Sequence, residues 1–170
     1  MKRLWIPLSI LSVISLTVLY FGVTQAPDTS TAQPAEVQEV EQPATVQGLL
    51  EAVNAERAKV GIAPLVIDER LNQSAQRKAD EMIATGEYGH VNAAGVHGYE
   101  YARETTGQDC NGISENLTGN DDMSTVATLE KSMNSWLGST PHREAMLDPK
   151  YTSTGFGVTD YAVVQHFCRP

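Results

Sequence analysis

The chain has 170 residues, 41% of them hydrophobic, and a formal net charge of −9, which allows one ordinary globular domain plus a tail. So acidic a chain, with no basic stripe, argues against nucleic acid as a partner. The two cysteines, Cys110 and Cys168, make no Cys-x-x-Cys pair, which argues against a zinc knuckle or a thioredoxin-type motif.

Lys2 and Arg3 precede an uncharged run from Leu4 to Val23. A basic head and an apolar segment read as an export signal or an uncleaved membrane anchor over residues 1–23. The run is long for a signal core and just long enough to span a bilayer. Pro27 would directly follow a cut after Ala26, which favours the anchor. Either reading places the remainder outside the cytoplasm, as the positive-inside rule does, with membrane contact through this segment only. Residues 24–44 hold Asp28, Glu36, Glu39 and Glu41 among Pro, Thr, Gln and Ala, and read as a disordered linker. The folded domain is expected over residues 45–170.

Leu49, Leu50, Val53 and Val60 fall on one helical face that Gly61 ends. Ile62 to Val66 reads as an extended link, and Asp68 as the cap of a second helix. Leu71, Ala75, Ala79, Met82 and Ile83 form that helix's apolar stripe, and Gly86 ends it. His90 then lies in a loop just past a helix end, where a histidine can also serve helix carbonyls. Residues 93–113 are glycine-rich and loop-like, with a short helix around Tyr99–Glu104. By itself Glu115 reads as an exposed acid and Asn116 as a turn residue. Asn72-Gln-Ser74 and Asn116-Leu-Thr118 match glycosylation sequons.

A third helix is expected from Met123 to Leu137, burying Val126, Leu129, Met133, Trp136 and Leu137. A corner follows. Gly138 suits a left-handed stop, Ser139 or Thr140 a cap, and Pro141 the first position of a fourth helix. His142 would then sit in the first turn, where the helix dipole disfavours an imidazolium. A neutral, rigidly held imidazole suits a metal ligand or a general base; the plain alternative is a histidine that completes the corner. Asp148-Pro149 ends that helix. Thr154 to Val158 reads as a strand whose glycines admit a close backbone. Tyr161 to Cys168 is the last strand, with Val163, Gln165 and Phe167 on one face and Ala162, Val164 and His166 on the other. His166 faces either a cleft or solvent and is not counted as a ligand.

Four pieces now stand in order: Asn54-Ala-Glu-Arg57, a helix followed by His90, Glu115-Asn116-Leu117, and Trp136-x-x-Ser139-x-x-His142-Arg143 followed by Gly155-Phe-Gly157. Together they resemble the CAP superfamily of cysteine-rich secretory, antigen five and pathogenesis-related proteins, in its short bacterial SCP-like form. The resemblance covers residues 46–168. It implies an α+β fold, an α-β-α sandwich with a small antiparallel sheet between helix layers. It also implies a cleft in which His90 and His142 match the two histidines and Glu115 matches the acid of a Gly-Glu-Asn turn. Here Ser114 replaces the glycine, and Ser139 stands where the family carries a second acid.

The resemblance brings His90, Glu115 and His142 together, and two imidazoles with a carboxylate are the ligand set of an open zinc or other divalent-metal site. Three roles follow: a non-enzymatic module binding a metal or small ligand, a metal-assisted hydrolase, or an envelope interaction protein with a vestigial cleft. A lipid or an envelope component are further candidate partners, and a monomer is expected. Ser139, His142 and Glu115 also allow a serine-hydrolase reading, but no nucleophile-elbow pattern surrounds Ser139. In an exported domain Cys110 and Cys168 are expected to pair, closing a loop for which chain entropy gives roughly 4 kcal/mol; two buried thiols are the alternative.

Overall fold

The computed structural model describes residues 41–119 and 125–170. The expected signal or anchor and the linker through residue 40 lie outside the described residues. The last linker residues are docked: Ala44 is buried, the amide of Leu129 donates to the Gln42 carbonyl at 3.2 Å, and Lys131 pairs with Glu41 at 2.8 Å.

Helix α1 (Val46–Lys59) begins where Thr45 Oγ1 accepts from the Gly48 amide at 3.1 Å. Its inward face is Leu49, Val53 and Arg57, spaced by four. Val60, expected on that face, is 57% exposed because the helix has already ended. Arg57 takes the buried place. Its guanidinium donates to the carbonyls of Ala63 (2.8 Å), Met146 (2.7 Å), Asp148 (3.1 Å) and Tyr151 (3.1 Å). Burial lowers its pKa and the nearby Asp148 opposes that shift. Asn54 clamps the following segment by exchanging two hydrogen bonds with the Leu65 backbone, at 3.0 and 2.8 Å.

The segment read as a link ends in a short strand, β1 (Val66–Ile67). Helix α2 (Glu69–Thr85) starts at the Asp68 cap and stops at left-handed Gly86, as expected. Helix α3 (Gly98–Thr106) is longer than the expected short helix. The stretch read as the end of a loop and a turn is a strand, β2 (Gly112–Gly119). Helix α4 spans Leu129–Gly138 and starts later than expected, because Thr128 caps it by accepting from the Lys131 amide at 3.3 Å. Val126 therefore lies outside the helix and is 53% exposed. The corner before α5 (Thr140–Leu147) is made by Ser139 in extended conformation, not by a left-handed Gly138, which stays helical. Strands β3 (Ser153–Val158) and β4 (Ala162–Arg169) complete the sheet.

The sheet order is β1-β3-β4-β2. The three longer strands are antiparallel, and β1 adds a two-residue parallel edge that the small antiparallel sheet of the expectation lacks. Val163 and Phe167 of β4 join Leu49, Val53, Trp136 and Met146 in the core under α1, α4 and α5. Ala162 and Val164 meet Ala75, Ala79 and Met82 of α2 on the other face. The result is the expected α-β-α sandwich, and the expected alternation along β4 holds.

Helix α2 lies very close to β3. A Cβ at Gly155 would strike the backbone of Leu71 and Asn72, and one at Gly157 the backbone of Ala75 and Gln76. Side chains of α2 also serve the strand: the Phe156 amide donates to Asn72 Oδ1 at 2.8 Å and the Val158 amide to Gln76 Oε1 at 2.9 Å. Neither sequon is free, since Asn72 is committed to β3 and Asn116 is buried inside β2. The two cysteines pair: Cys110 and Cys168 form a disulfide with Cα atoms 5.3 Å apart.

Two outcomes follow from this packing. Arg57→Met leaves several buried carbonyls without a donor and is expected to cost about 3 kcal/mol in urea unfolding, with Arg57→Lys costing less. Gly157→Ala forces α2 off the sheet and is expected to lower stability by about 3 kcal/mol; wild-type stability in that variant would show that the helix has room to move.

Candidate functional site

His90 leaves the end of α2 in a loop that is tied down locally. Asn92 Oδ1 accepts from the amides of Ala94 (3.0 Å) and Val96 (2.9 Å), while its Nδ2 donates to Glu81 Oε1 at 2.6 Å. Glu81 also accepts from Tyr101 Oη at 2.7 Å and from buried Lys78 at 3.0 Å. Burial raises the Glu81 pKa, but bonds from Asn92, Tyr101 and Lys78 outweigh it and the net shift is downward. The Gly98 amide donates to the His90 carbonyl at 2.8 Å. Gly98 has to be glycine, because a Cβ there would run into the Glu115 carboxylate.

Glu115, read from the sequence as exposed, has a side chain only 3% exposed. It sits on β2 opposite His166 of β4, so both point towards α2. His90 Nδ1 lies 2.7 Å from Glu115 Oε1, and His166 Nε2 lies 2.9 Å from Oε2. Behind it, His166 Nδ1 is 2.8 Å from Ser74 Oγ on α2. Burial raises the Glu115 pKa, yet the bonds from His166 and then His90 outweigh it, and the carboxyl is held below its ordinary range. At neutral pH it is a carboxylate, which only accepts, so both facing nitrogens carry hydrogens. His90 therefore serves Glu115 rather than the carbonyls of α2.

His142 stands in the first turn of α5, as expected, and approaches from the other helix layer. Its ring centre is 6.2 Å from that of His90. Burial and the neighbouring His90 lower its pKa, so the neutral imidazole is favoured. Its Nδ1 is buried with no partner among the described residues. Asn116, the next residue on β2, reaches to the other face and donates to the His142 carbonyl at 3.0 Å. Ser139 is half-buried at the corner, and its side chain makes no cap bond.

The structure thus brings together His90, Glu115 and His142, with Ser139 three residues before His142 at the corner. Among the described residues, no three His, Cys, Asp or Glu side chains converge as a metal-ligand group. Both oxygens of Glu115 are engaged by imidazoles. Zinc–nitrogen bonds of about 2.0–2.1 Å would put two ring centres sharing an ion roughly 5–6 Å apart, slightly closer than the 6.2 Å between His90 and His142.

Sequence reasoning missed His166 and Ser74, both fully buried, and Lys78. A signal was present. Positions 71, 74, 75, 78, 79 and 82 form one unbroken helical stripe, so Ser74 and Lys78 belonged to the buried face.

The sequence profile of the cysteine-rich secretory protein family, CAP, matches residues 50–168. A Bacillus subtilis (strain 168) protein, YkwD, described as uncharacterized, is 29% identical over 133 residues, or 78% of this chain. The chain spans about half of that relative's length, 48%. Among solved structures, an extracellular SCP-domain protein of Bacillus anthracis superposes with a TM-score of 0.65 at 19% identity, over 74% of this chain and 40% of the other. An outer surface protein of Borrelia burgdorferi gives 0.62 at 20% identity, over 72% of this chain and 90% of the other. A cysteine-rich secretory protein of Staphylococcus aureus gives 0.59 at 21%, over 74% and 38%. These likenesses establish the fold, and the profile match, which covers most of the chain, places it by sequence: the chain belongs to the CAP family of cysteine-rich secretory proteins.

Proposed function

We propose that the chain is an extracytoplasmic binding module, not an enzyme, whose cleft takes a divalent metal ion, zinc first, between His90 and His142. The observation that carries this is the imidazole pair, centred 6.2 Å apart, with one ring backed by a buried carboxylate and the other held neutral. Metal ligation needs neutral imidazoles, and a carboxylate behind a ligand histidine raises its basicity. Water, or an anionic group of a small ligand, would complete the coordination. Export is supported by the disulfide, which belongs to oxidising compartments, and by the extracellular and outer-surface descriptions of two structural relatives. The N-terminal segment would serve as signal or anchor.

A bound ion would supply polarisation of a coordinated water or ligand. Metal-assisted hydrolysis is a second reading, favoured by one observation: a half-exposed imidazole whose Nδ1 rests on a buried carboxylate is a general-base arrangement. Against a serine nucleophile, no hydrogen bond joins Ser139 to His142 or Glu115 among the described residues, and nothing there activates the hydroxyl.

Calorimetric titration of the full chain with Zn²⁺ near neutral pH should show saturable binding, lost in the His90→Ala/His142→Ala double variant. Glu115→Gln should weaken it roughly 10–100-fold. Equal binding by the double variant, or none by the wild type, removes the metal reading and favours a vestigial cleft. Ester turnover lost with the two histidines would favour the hydrolase.

Acidification of the metal-free protein should lower stability in two stages. The depressed His142 pKa means its contribution is complete above the ordinary value of 6.5 and is lost as pH falls through the lower folded value. The depressed Glu115 pKa likewise gives stability present above 4.5 and lost below, through its folded value. Denaturant midpoints measured against pH should lose the upper stage in His142→Ala and show a smaller lower stage in Glu115→Gln, the remainder coming from other depressed carboxylates such as Glu81.

A further inference from the structure

We propose that His166 is the positioning residue of the cleft: held between Ser74 and Glu115, it fixes the carboxylate that keeps His90 in its Nδ1–H tautomer and leaves the outer nitrogen, Nε2, with a free lone pair. His90 cannot orient itself, because its side chain is 49% exposed and it rides on a loop. The fixed object is Glu115, and among the described residues its carboxylate oxygens are hydrogen-bonded by these two imidazoles. Of the two, only His166 is fully buried. The Gly98 backbone closes against the same carboxylate and leaves it no room to swing that way.

The proton inventory supports the same arrangement. Ser74 has one hydroxyl hydrogen and two neighbours, His166 Nδ1 at 2.8 Å and the Leu71 carbonyl at 3.0 Å. If the hydrogen goes to His166, the ring is neutral and carries its own hydrogen on Nε2. If it goes to Leu71, Nδ1 donates instead. On the other side of the ring the Glu115 carboxylate only accepts, so Nε2 donates to Oε2 whichever way the hydroxyl turns. That leaves Oε1 to accept from His90 Nδ1, which sets the His90 tautomer. Ser74 is buried and has no route to a substrate, so the Ser74–His166–Glu115 series is a support and not a catalytic triad. The order of the chain is Ser74 on α2, His166 on β4, Glu115 on β2 and His90 in the loop. It carries the position of the packed interior outward to the cleft.

The effect on metal affinity rests on the binding reading above; the tautomer does not. The test is ring-nitrogen NMR of the full, metal-free chain labelled with ¹⁵N-histidine, at a pH where His90 is neutral. The wild type should show His90 protonated at Nδ1. His166→Leu should give a mixture of tautomers and at least a tenfold loss of Zn²⁺ affinity. His166→Gln, whose amide can still donate to Glu115, should restore the wild-type tautomer. Ser74→Ala, a smaller change, should shift the tautomer ratio in the same direction as His166→Leu and decides the matter if the leucine variant does not fold. An unchanged His90 tautomer in Ser74→Ala and in any folded His166→Leu protein overturns the proposal, as does His166→Gln behaving like the leucine variant. A wild type that binds no Zn²⁺ sinks the metal reading and leaves the tautomer measurement to judge this one.

Discussion

The closeness of α2 to β3 is the constraint on which most of the molecule depends. Helix and strand approach until only glycine fits at 155 and 157. The edge strand β1 pairs with Ser153 and Thr154 only, so the amides of Phe156 and Val158 need acceptors from elsewhere. Asn72 and Gln76 of α2 supply them, standing in for the missing length of strand. Buried backbone donors are almost always satisfied, and here the need specifies the axial position of the helix. With α2 so placed, Ser74 meets His166, and the chain leaves the helix where His90 can reach Glu115.

Charges drawn into the interior carry a solvation cost. An ion taken out of water costs several kcal/mol, far more than the roughly 1 kcal/mol a single hydrogen bond returns. Three of the charged groups held in or near the interior have several partners. Arg57 has four carbonyls, Glu81 has three donors, and Glu115 has two imidazoles. In Arg57 the arrangement ties α1 to the end of α5 and to the turn before β3. In Glu115 it does something different, since one partner is buried and the other reaches solvent. The interior is thereby coupled to the exposed His90 ring through a single carboxylate.

His142 reaches the same place from the opposite helix layer, at the end of the sheet where β2 forms the edge. Neither histidine layer alone makes a site. The family resemblance named His90, Glu115 and His142, and the structure gathers them, but it casts Glu115 as the brace behind a histidine. The Ser139 corner is built from an extended residue between two helices and leaves the hydroxyl without an activating base. A binding role accommodates both facts more readily than a nucleophilic one.

Sequence alone determined whatever is written in local periodicity or in a local cap. The stripe of α2, the Asp68 cap, the Gly86 stop, the alternation of β4 and the close-approach glycines of β3 all lie within a few residues of their cause. With only two cysteines in a chain read as exported, their pairing was also legible. Strand β2 was not, because Ser114, Glu115, Asn116 and Thr118 show no apolar alternation. Glu115 and Asn116 are nevertheless buried, each against partners at least twenty-five positions away. Arg57, Ser74, Lys78 and His166 sat at buried spacings yet looked outward by polarity. Whether a polar group goes inside depends on the partner that will satisfy it, and for Ser74 and His166 that partner arrives only when α2, β4 and β2 pack together. Pattern decides which face a residue occupies; the tertiary structure decides whether a charge can live there.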